Sequence, residues 1–208
     1  MHRFIVVDYN AGNLTSVLNA FAHLGVDVKA SRDPSEIAEA ERLVFPGVGA
    51  ARSAMQTLET SGIGKAIARV VERKRPVLGI CIGCQIILES SEENGGVDTL
   101  GFIKGNAVRF RDEEGIKIPH MGWNQVRLVK KHPLFEGIPD GSDFYFVHSY
   151  HPAGILPENV LTETTYGSQK FVSAVCKENL VAAQFHLEKS GDVGLRVLKN
   201  FSTWSGSC

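Results

Sequence analysis

The sequence is poor in cysteine, and its four cysteines are unevenly scattered: Cys81 and Cys84 lie together, Cys176 sits in an apolar stretch and Cys208 stands last. That scatter suggests no disulfide framework, so a reducing cytoplasm is the default expectation. Neither sign of charge is in excess. The 22 Lys and Arg against 23 Asp and Glu leave a net charge of -1, which argues against a general attraction to nucleic acid or anionic lipid and favours a small neutral or zwitterionic substrate. Long hydrophobic runs are missing too. Phe4-Ile5-Val6-Val7 reaches Asp8 after too few apolar positions for a signal-peptide core, and no other run approaches membrane-spanning length. Repeats and low-complexity tracts are absent, and after the linker-like Glu92-Glu93-Asn94-Gly95-Gly96 apolar patterning resumes at once. With 43% hydrophobic residues over 208 positions, the chain is expected to form one compact domain, residues 1–208.

What is present is an alternation of short apolar runs with amphipathic stretches. Phe4 to Val7 reads as a strand, and Leu14, Val17, Leu18, Phe21 and Leu24 follow at helical spacing. Val26 to Ala30 reads as a second strand; Asp33-Pro34-Ser35-Glu36 then offers a cap, a first-turn proline and a glutamate able to close a capping box. Leu43-Val44-Phe45 is a short strand ending in Pro46-Gly47-Val48-Gly49, and Ile63, Ala66, Ile67, Val70 and Val71 mark a helix stopped by Pro76. Val77 to Ile80 is a buried strand entering Cys81, with a helix from Ile82 to about Ser90. The second half holds shorter β pieces around Ala107–Phe110, Asn124–Val129, Phe144–Val147, Val160–Thr164 and Phe171–Cys176, some pairing antiparallel. Leu180 to Phe185 is again a strongly apolar strand, and Ser190 caps a last helix whose core face carries Val193, Val197, Leu198 and Phe201. The expected fold is α/β, a mostly parallel central sheet flanked by helices, with a smaller antiparallel β portion in the second half.

The strongest local signal is Gly79-Ile80-Cys81-Ile82-Gly83. Small residues flank a nucleophile where a buried strand turns sharply into a helix, and the amino end of that helix favours a thiolate. Cys81 and Cys84 also have the spacing of a redox pair, but His186 and Glu188 are available as partners for acyl transfer, and Cys84 reads as a small apolar residue of the first turn. Zinc lacks a second Cys or His pair at ligand spacing, so no metal is expected. A thiol needs a base just beyond the carboxyl end of a sheet strand, and His186 and His148 both qualify. His186 has Glu188 two residues on to fix its tautomer, whereas His148 has no such neighbour; His120, His132 and His151 read as structural. The Gly47-Val48-Gly49 turn and the N–H of Ile82 can supply donors to an oxyanion.

The elbow, the turn and the His-x-Glu pair occur in the order found in the class I glutamine amidotransferases, which this sequence closely resembles. Asp8-Tyr9-Asn10-Ala11-Gly12-Asn13-Leu14, Phe45-Pro46-Gly47-Val48-Gly49, Pro119-His120-Met121-Gly122-Trp123-Asn124 and Val147-His148-Ser149-Tyr150 further resemble the glutaminase subunits of imidazole glycerol phosphate synthase, of histidine biosynthesis. The resemblance implies a flavodoxin-like fold and a glutamine thioester on Cys81, with His186 as base and Glu188 orienting it. Val48 and Ile82 would supply oxyanion donors, while Gln85, Glu93, Ser149 and Tyr150 bind substrate. It implies no cofactor. Ammonia would pass to a separate imidazole glycerol phosphate cyclase subunit, a TIM barrel, in a heterodimer, with Met121, Trp123, Asn124 and Lys189 as interface candidates. Met121 and Trp123 read equally well as core residues, and Glu93 equally well as part of a solvated acidic helix end with Glu89 and Glu92.

Three positions depart from the family pattern: Leu187 stands where proline is common, Cys84 where methionine is usual, and Asn10 where glycine is usual. Leu187 would reduce backbone stiffness and alter how Glu188 is presented.

Overall fold

The computed structural model describes residues 4–9 and 12–208; Asn10 lies outside them. Five short strands form the parallel half of the main sheet: β1 (Phe4–Val7), β2 (Lys29–Ser31), β3 (Arg42–Gly47), β4 (Val77–Cys81) and β13 (Leu180–Ala183). The antiparallel half is β8 (His120–Leu128), β9 (Ser142–His148), β11 (Val160–Tyr166) and β12 (Gln169–Lys177). Among the described residues the order is β2-β1-β3-β4-β13-β12-β11-β8-β9. A second sheet joins β10 (Tyr150–Ala153), β7 (Asn106–Arg109), β5 (Ser90–Ser91) and β6 (Val97–Asp98). Both halves of the α/β expectation are therefore present, and the antiparallel part is larger than the sequence suggested.

Alternation along the strands sends side chains into two cores, one on each face of the sheet. Ile5, Val7, Leu43 and Phe45 pack on one side, against α3 (Ala51–Ser61), α4 (Ile63–Glu72) and α5 (Ile82–Ile86). Val6, Val44, Leu78 and Ile80 pack on the other with Phe21 of α1 (Leu14–His23) and Val197, Leu198 and Phe201 of α6 (Gly191–Thr203). Burial on both faces explains why these strands read as continuous apolar runs rather than alternating ones.

Several expectations are corrected. Helix α3 was not anticipated: Gly62, at φ 77, ends it and begins α4 directly, so two helices stand where one pattern was legible. The helix after Cys81 does not reach Ser90. It stops at Ile86, and Ser90 and Ser91 pair with β6 and β7. Before α2 (Pro34–Ala38), Asp33 accepts from the Ser35 N–H, but Glu36 turns to Ser31 and Lys29, and the Asp33 N–H is taken by the Ser31 hydroxyl at 3.2 Å. The capping box is thus half made. Ser190 gives α6 no side-chain cap, because its hydroxyl donates to the His186 carbonyl at 2.5 Å and accepts from the Tyr145 N–H at 3.0 Å.

The expectation of no disulfide is also corrected. Cys176 and Cys208 are bonded to each other, with Cα atoms 6.2 Å apart. The end of the chain folds back onto the turn after β12, where the Cys208 N–H donates to the Glu178 carbonyl at 3.0 Å. Spacing alone could not reveal that return. No helix among the described residues is long and apolar enough to cross a membrane.

Candidate active site

Strand β4 lies inside the sheet, with Gly47 of β3 beside Cys81 and Ala183 of β13 beside Ile80. All three strands run parallel, so the segments that leave them emerge at the same carboxyl edge, where ligands bind in open α/β sheets. Cys81, the turn after Gly47 and His186 are brought together in this way.

The elbow is as sharp as its glycines require. Cys81 has φ 55 and ψ -104, a conformation that an L residue holds only when its surroundings impose it. A Cβ on Gly83 would lie 2.4 Å from the Phe45 carbonyl oxygen, and one on Gly79 would lie 2.9 Å from the Gly83 backbone. These two positions are closed to any side chain. Gly12, at φ +66, is similarly confined, since a Cβ there would meet Val48 at 2.8 Å.

The side chains of His186 and Glu188 are fully buried, and His186 Nδ1 lies 2.7 Å from Glu188 Oε1. The His186 N–H donates to the Tyr145 carbonyl at 2.9 Å, so the Ser190 and Tyr145 contacts clamp its backbone. Nε2 is buried and makes no hydrogen bond among the described residues. Burial alone would push the imidazole down, but the Cys81 sulfur and then the Glu188 carboxylate more than offset it and hold His186 at about 10. The proton therefore rests on His186 at neutral pH. Around the sulfur, the Val147 carbonyl lies at 4.0 Å and Gln184 Nε2 at 3.9 Å.

A cavity of about 450 Å³ opens over Cys81, and Val48, Gly49, Ile82, Gln85, Glu93, Ser149 and Tyr150 all line it. Gly47 stands behind it, paired with Cys81. Glu93 does more than solvate a helix end: its carboxylate accepts from the Ala51 N–H at 2.6 Å, at the start of α3. Met121 and Trp123 are 63% and 58% exposed, which rules out the core alternative for both. Lys189 sits 6.0 Å over the Tyr145 ring.

Two sequence ambiguities resolve. Cys84 is a fully buried free thiol whose pKa is raised by burial and then by Cys81; it is packing, not half of a redox pair. His148 is unsuited to act as a base, because burial keeps it neutral and both ring nitrogens are engaged, with the Tyr150 carbonyl at 2.8 Å and with His120 at 3.0 Å. Leu187 is wholly buried and opens the turn Leu187–Lys189 that carries Glu188. His186 before it is extended, at φ -86 and ψ 98, as a residue preceding proline would be.

Asn13 was missed as a site residue. It stands at the N-cap of α1 with φ 61, yet makes no capping bond; its amide donates to Glu188 Oε1 and lies 3.4 Å from His186 Nδ1. The signal available in the sequence was an asparagine placed to cap a helix, which gives no hint that its side chain is diverted elsewhere. Among groups that could hold a metal, His132, Cys176 and Cys208 come together, but the two sulfurs are spent on each other.

With this geometry in place, comparison with known proteins is decisive: a family model described as "Glutamine amidotransferase class-I" matches residues 5–203. The chain belongs to that family. The imidazole glycerol phosphate synthase subunit HisH of Synechococcus sp. (strain JA-3-3Ab) is 48% identical over 96% of this chain and 92% of its own length. That of Acinetobacter baylyi is 46% identical over 99% of this chain and 100% of its own. Among solved structures, PurLQS from Thermotoga maritima superposes with a TM-score of 0.73 at 19% identity, covering 97% of this chain and 98% of that one. The glutaminase domain of Trypanosoma brucei CTPS gives 0.66 at 17%, covering 100% and 98%. At such low identity these superpositions establish the fold alone, whereas the two HisH relatives are similar to the chain over nearly its whole length.

Proposed function

We propose that this amidotransferase is the glutaminase subunit of an imidazole glycerol phosphate synthase, and that Cys81, His186 and Glu188 carry its chemistry. The observation that carries the reading is a strained cysteine elbow at one sheet edge with a buried His–Glu pair whose proton that cysteine helps to hold. The Cys81 sulfur attacks the carboxamide carbon of glutamine, and backbone N–H groups at Val48 and Ile82 receive the developing oxyanion. As the C–N bond breaks, His186 gives its proton to the departing amine and ammonia leaves, with the glutamyl group held as a thioester. Water then attacks the thioester while His186 takes its proton, and the C–S bond breaks to release glutamate and return the sulfur, with His186 protonated once more. Glu188 stabilises the imidazolium throughout, with the Asn13 amide as its second contact. Gln85, Glu93, Ser149 and Tyr150 hold the polar groups of glutamine.

Ammonia passes to a cyclase subunit of TIM-barrel form in a heterodimer, which yields imidazole glycerol phosphate and an aminoimidazole carboxamide ribonucleotide. The relatives' names support this acceptor, and exposed Met121 and Trp123, with Asn124 and Lys189, supply a docking face. The test is glutamate release by the purified chain, alone and with the cyclase subunit and its nucleotide substrate. Strong activation by that subunit is expected. Hydrolysis indifferent to it would move the search to another ammonia acceptor.

The His186 value also sets a pH window. A raised folded-state value contributes stability that is complete below the ordinary imidazole value near 6.5 and is lost as pH rises through about 10. We expect the alkaline limb of kcat/KM to fall near 10 in the wild type, and Glu188→Gln to move that limb toward neutrality. A limb unmoved by the substitution would remove Glu188 from its role.

A further inference from the structure

A buried pair of histidines lies beside the glutamine cavity, and the triad chemistry makes no use of it. His120 and His148 face each other across β8 and β9 in direct register. His148 Nδ1 is 2.8 Å from the Tyr150 carbonyl, which can only accept, so that nitrogen carries the proton. Burial holds both rings neutral, His120 at about 4 and His148 well below its ordinary value. Each neutral ring has one donor and one acceptor, which fixes the remaining bonds. His148 Nε2 must accept from His120 Nδ1 at 3.0 Å, and His120 Nε2 must then accept from the Asn124 amide at 3.1 Å. The Asn124 amide faces the right way for this: Oδ1 takes the Gln125 N–H at 2.8 Å, and Nδ2 also donates to the Thr165 carbonyl at 2.9 Å.

At its inner end the chain of bonds meets the cavity. The Tyr150 carbonyl that accepts from His148 also accepts from Gln85 Nε2 at 3.0 Å, and the same Gln85 nitrogen donates to Gln184 Oε1 at 3.2 Å. Gln184 Nε2 in turn lies 3.9 Å from the Cys81 sulfur. With its amino group spent on two acceptors, the Gln85 amide has its oxygen left to receive a substrate N–H.

We propose that Asn124, His120 and His148 are positioning residues for the glutamine site, forming a one-way hydrogen-bond chain that fixes the Tyr150 carbonyl and, through it, the Gln85 amide. The inference rests on the glutaminase reading and deepens it. If the donor at Asn124 is removed, His120 and His148 lose the constraint on their tautomers, and a reversed His148 turns an acceptor toward the Tyr150 carbonyl. The outer end of the hydrogen-bond chain sits on the strand that exposes Met121 and Trp123.

The test uses the full-length protein with 15N-labelled histidine, together with Asn124→Leu and His120→Phe. Imidazole 15N shifts at neutral pH are expected to report Nδ1–H tautomers for both His120 and His148 in the wild type, and a mixed or reversed His148 in Asn124→Leu. The concentration of a glutamine-like chloroketone that half-saturates Cys81 labelling is expected to rise about tenfold in either variant, while labelling by iodoacetamide keeps its rate. An Nε2–H tautomer at His148 in the wild type, or unchanged chloroketone saturation in both variants, overturns the proposal. A wild-type protein that iodoacetamide labels and the chloroketone does not would instead sink the glutaminase reading, with the tautomers still deciding whether the hydrogen-bond chain exists.

Discussion

Cys81→Ala is expected to lower glutamine hydrolysis by about 10⁴-fold or more with little change in the thermal midpoint. The sulfur is the attacking atom, and neither Gln184 at 3.9 Å nor Cys84, buried and free, is placed to replace it. A second consequence separates loss of the nucleophile from loss of the fold. The sulfur is one of the groups that hold His186 at about 10, so the imidazole pKa must fall in the variant, which histidine NMR would detect. Cys81→Gly sharpens the point. At φ 55 and ψ -104 glycine has no Cβ to strain, so this variant should be as inactive as the alanine one and more stable than wild type by about 1 kcal/mol. An active Cys81→Ala, or a His186 pKa unchanged in it, would dismantle the assignment.

Gly83→Ala is expected to destabilise the chain by about 3 kcal/mol, lowering Tm by roughly 6–12 °C, and to abolish labelling of Cys81. The added methyl would fall 2.4 Å from the Phe45 carbonyl oxygen and 3.1 Å from the Phe45 ring. Backbone cannot rotate out of the way as a side-chain tip can, so β3 and the turn after it must shift. Gly64→Ala is the contrasting control. It lies inside α4 with ordinary contacts of 3.5 Å and more, so alanine there should stabilise by about 0.5–1 kcal/mol. Thermal melts of the two variants should therefore move in opposite directions, and a Gly83→Ala chain melting like wild type would show that the elbow is more loosely seated than its contacts imply.

How much of this was legible in the sequence varied with the range over which the signal acts. The parallel strands other than β2 were readable because burial on both faces writes continuous apolar runs, and the elbow because crowding at Cys81 demands glycine on both sides; β2, expected at Val26–Ala30, lies at Lys29–Ser31 and carries no such run. The His186–Glu188 pair was readable because the partners sit two residues apart. Helix α3 was lost because its apolar residues merge with those of α4 across Gly62. The length of α5 was misread because Ile86, Ile87 and Leu88 are all buried, which looks like a continuing helix whether or not the backbone continues as one. Asn13, the Ser190 clamp and the Cys176–Cys208 bond depend on contacts between distant segments, and local pattern carries no trace of them. His120 shows the limit most plainly: reading it as structural was reasonable for a histidine with no catalytic partner nearby in the sequence, and only the directions of its hydrogen bonds tie it to the cavity.

The place of β13 in the sheet has a consequence for biosynthesis. This strand pairs with β4 on one side and β12 on the other, so the segment that completes the middle of the sheet comes late in the chain. Until it leaves the ribosome, β4 and β12 have no strand to pair with at these edges, and β4 carries its thiol without His186. Such edges invite pairing with other chains, and closing a sheet through so distant a segment is slow. Synthesis therefore passes through a stage that is prone to aggregation and chemically inert, and one late insertion both seals the sheet and arms the cysteine.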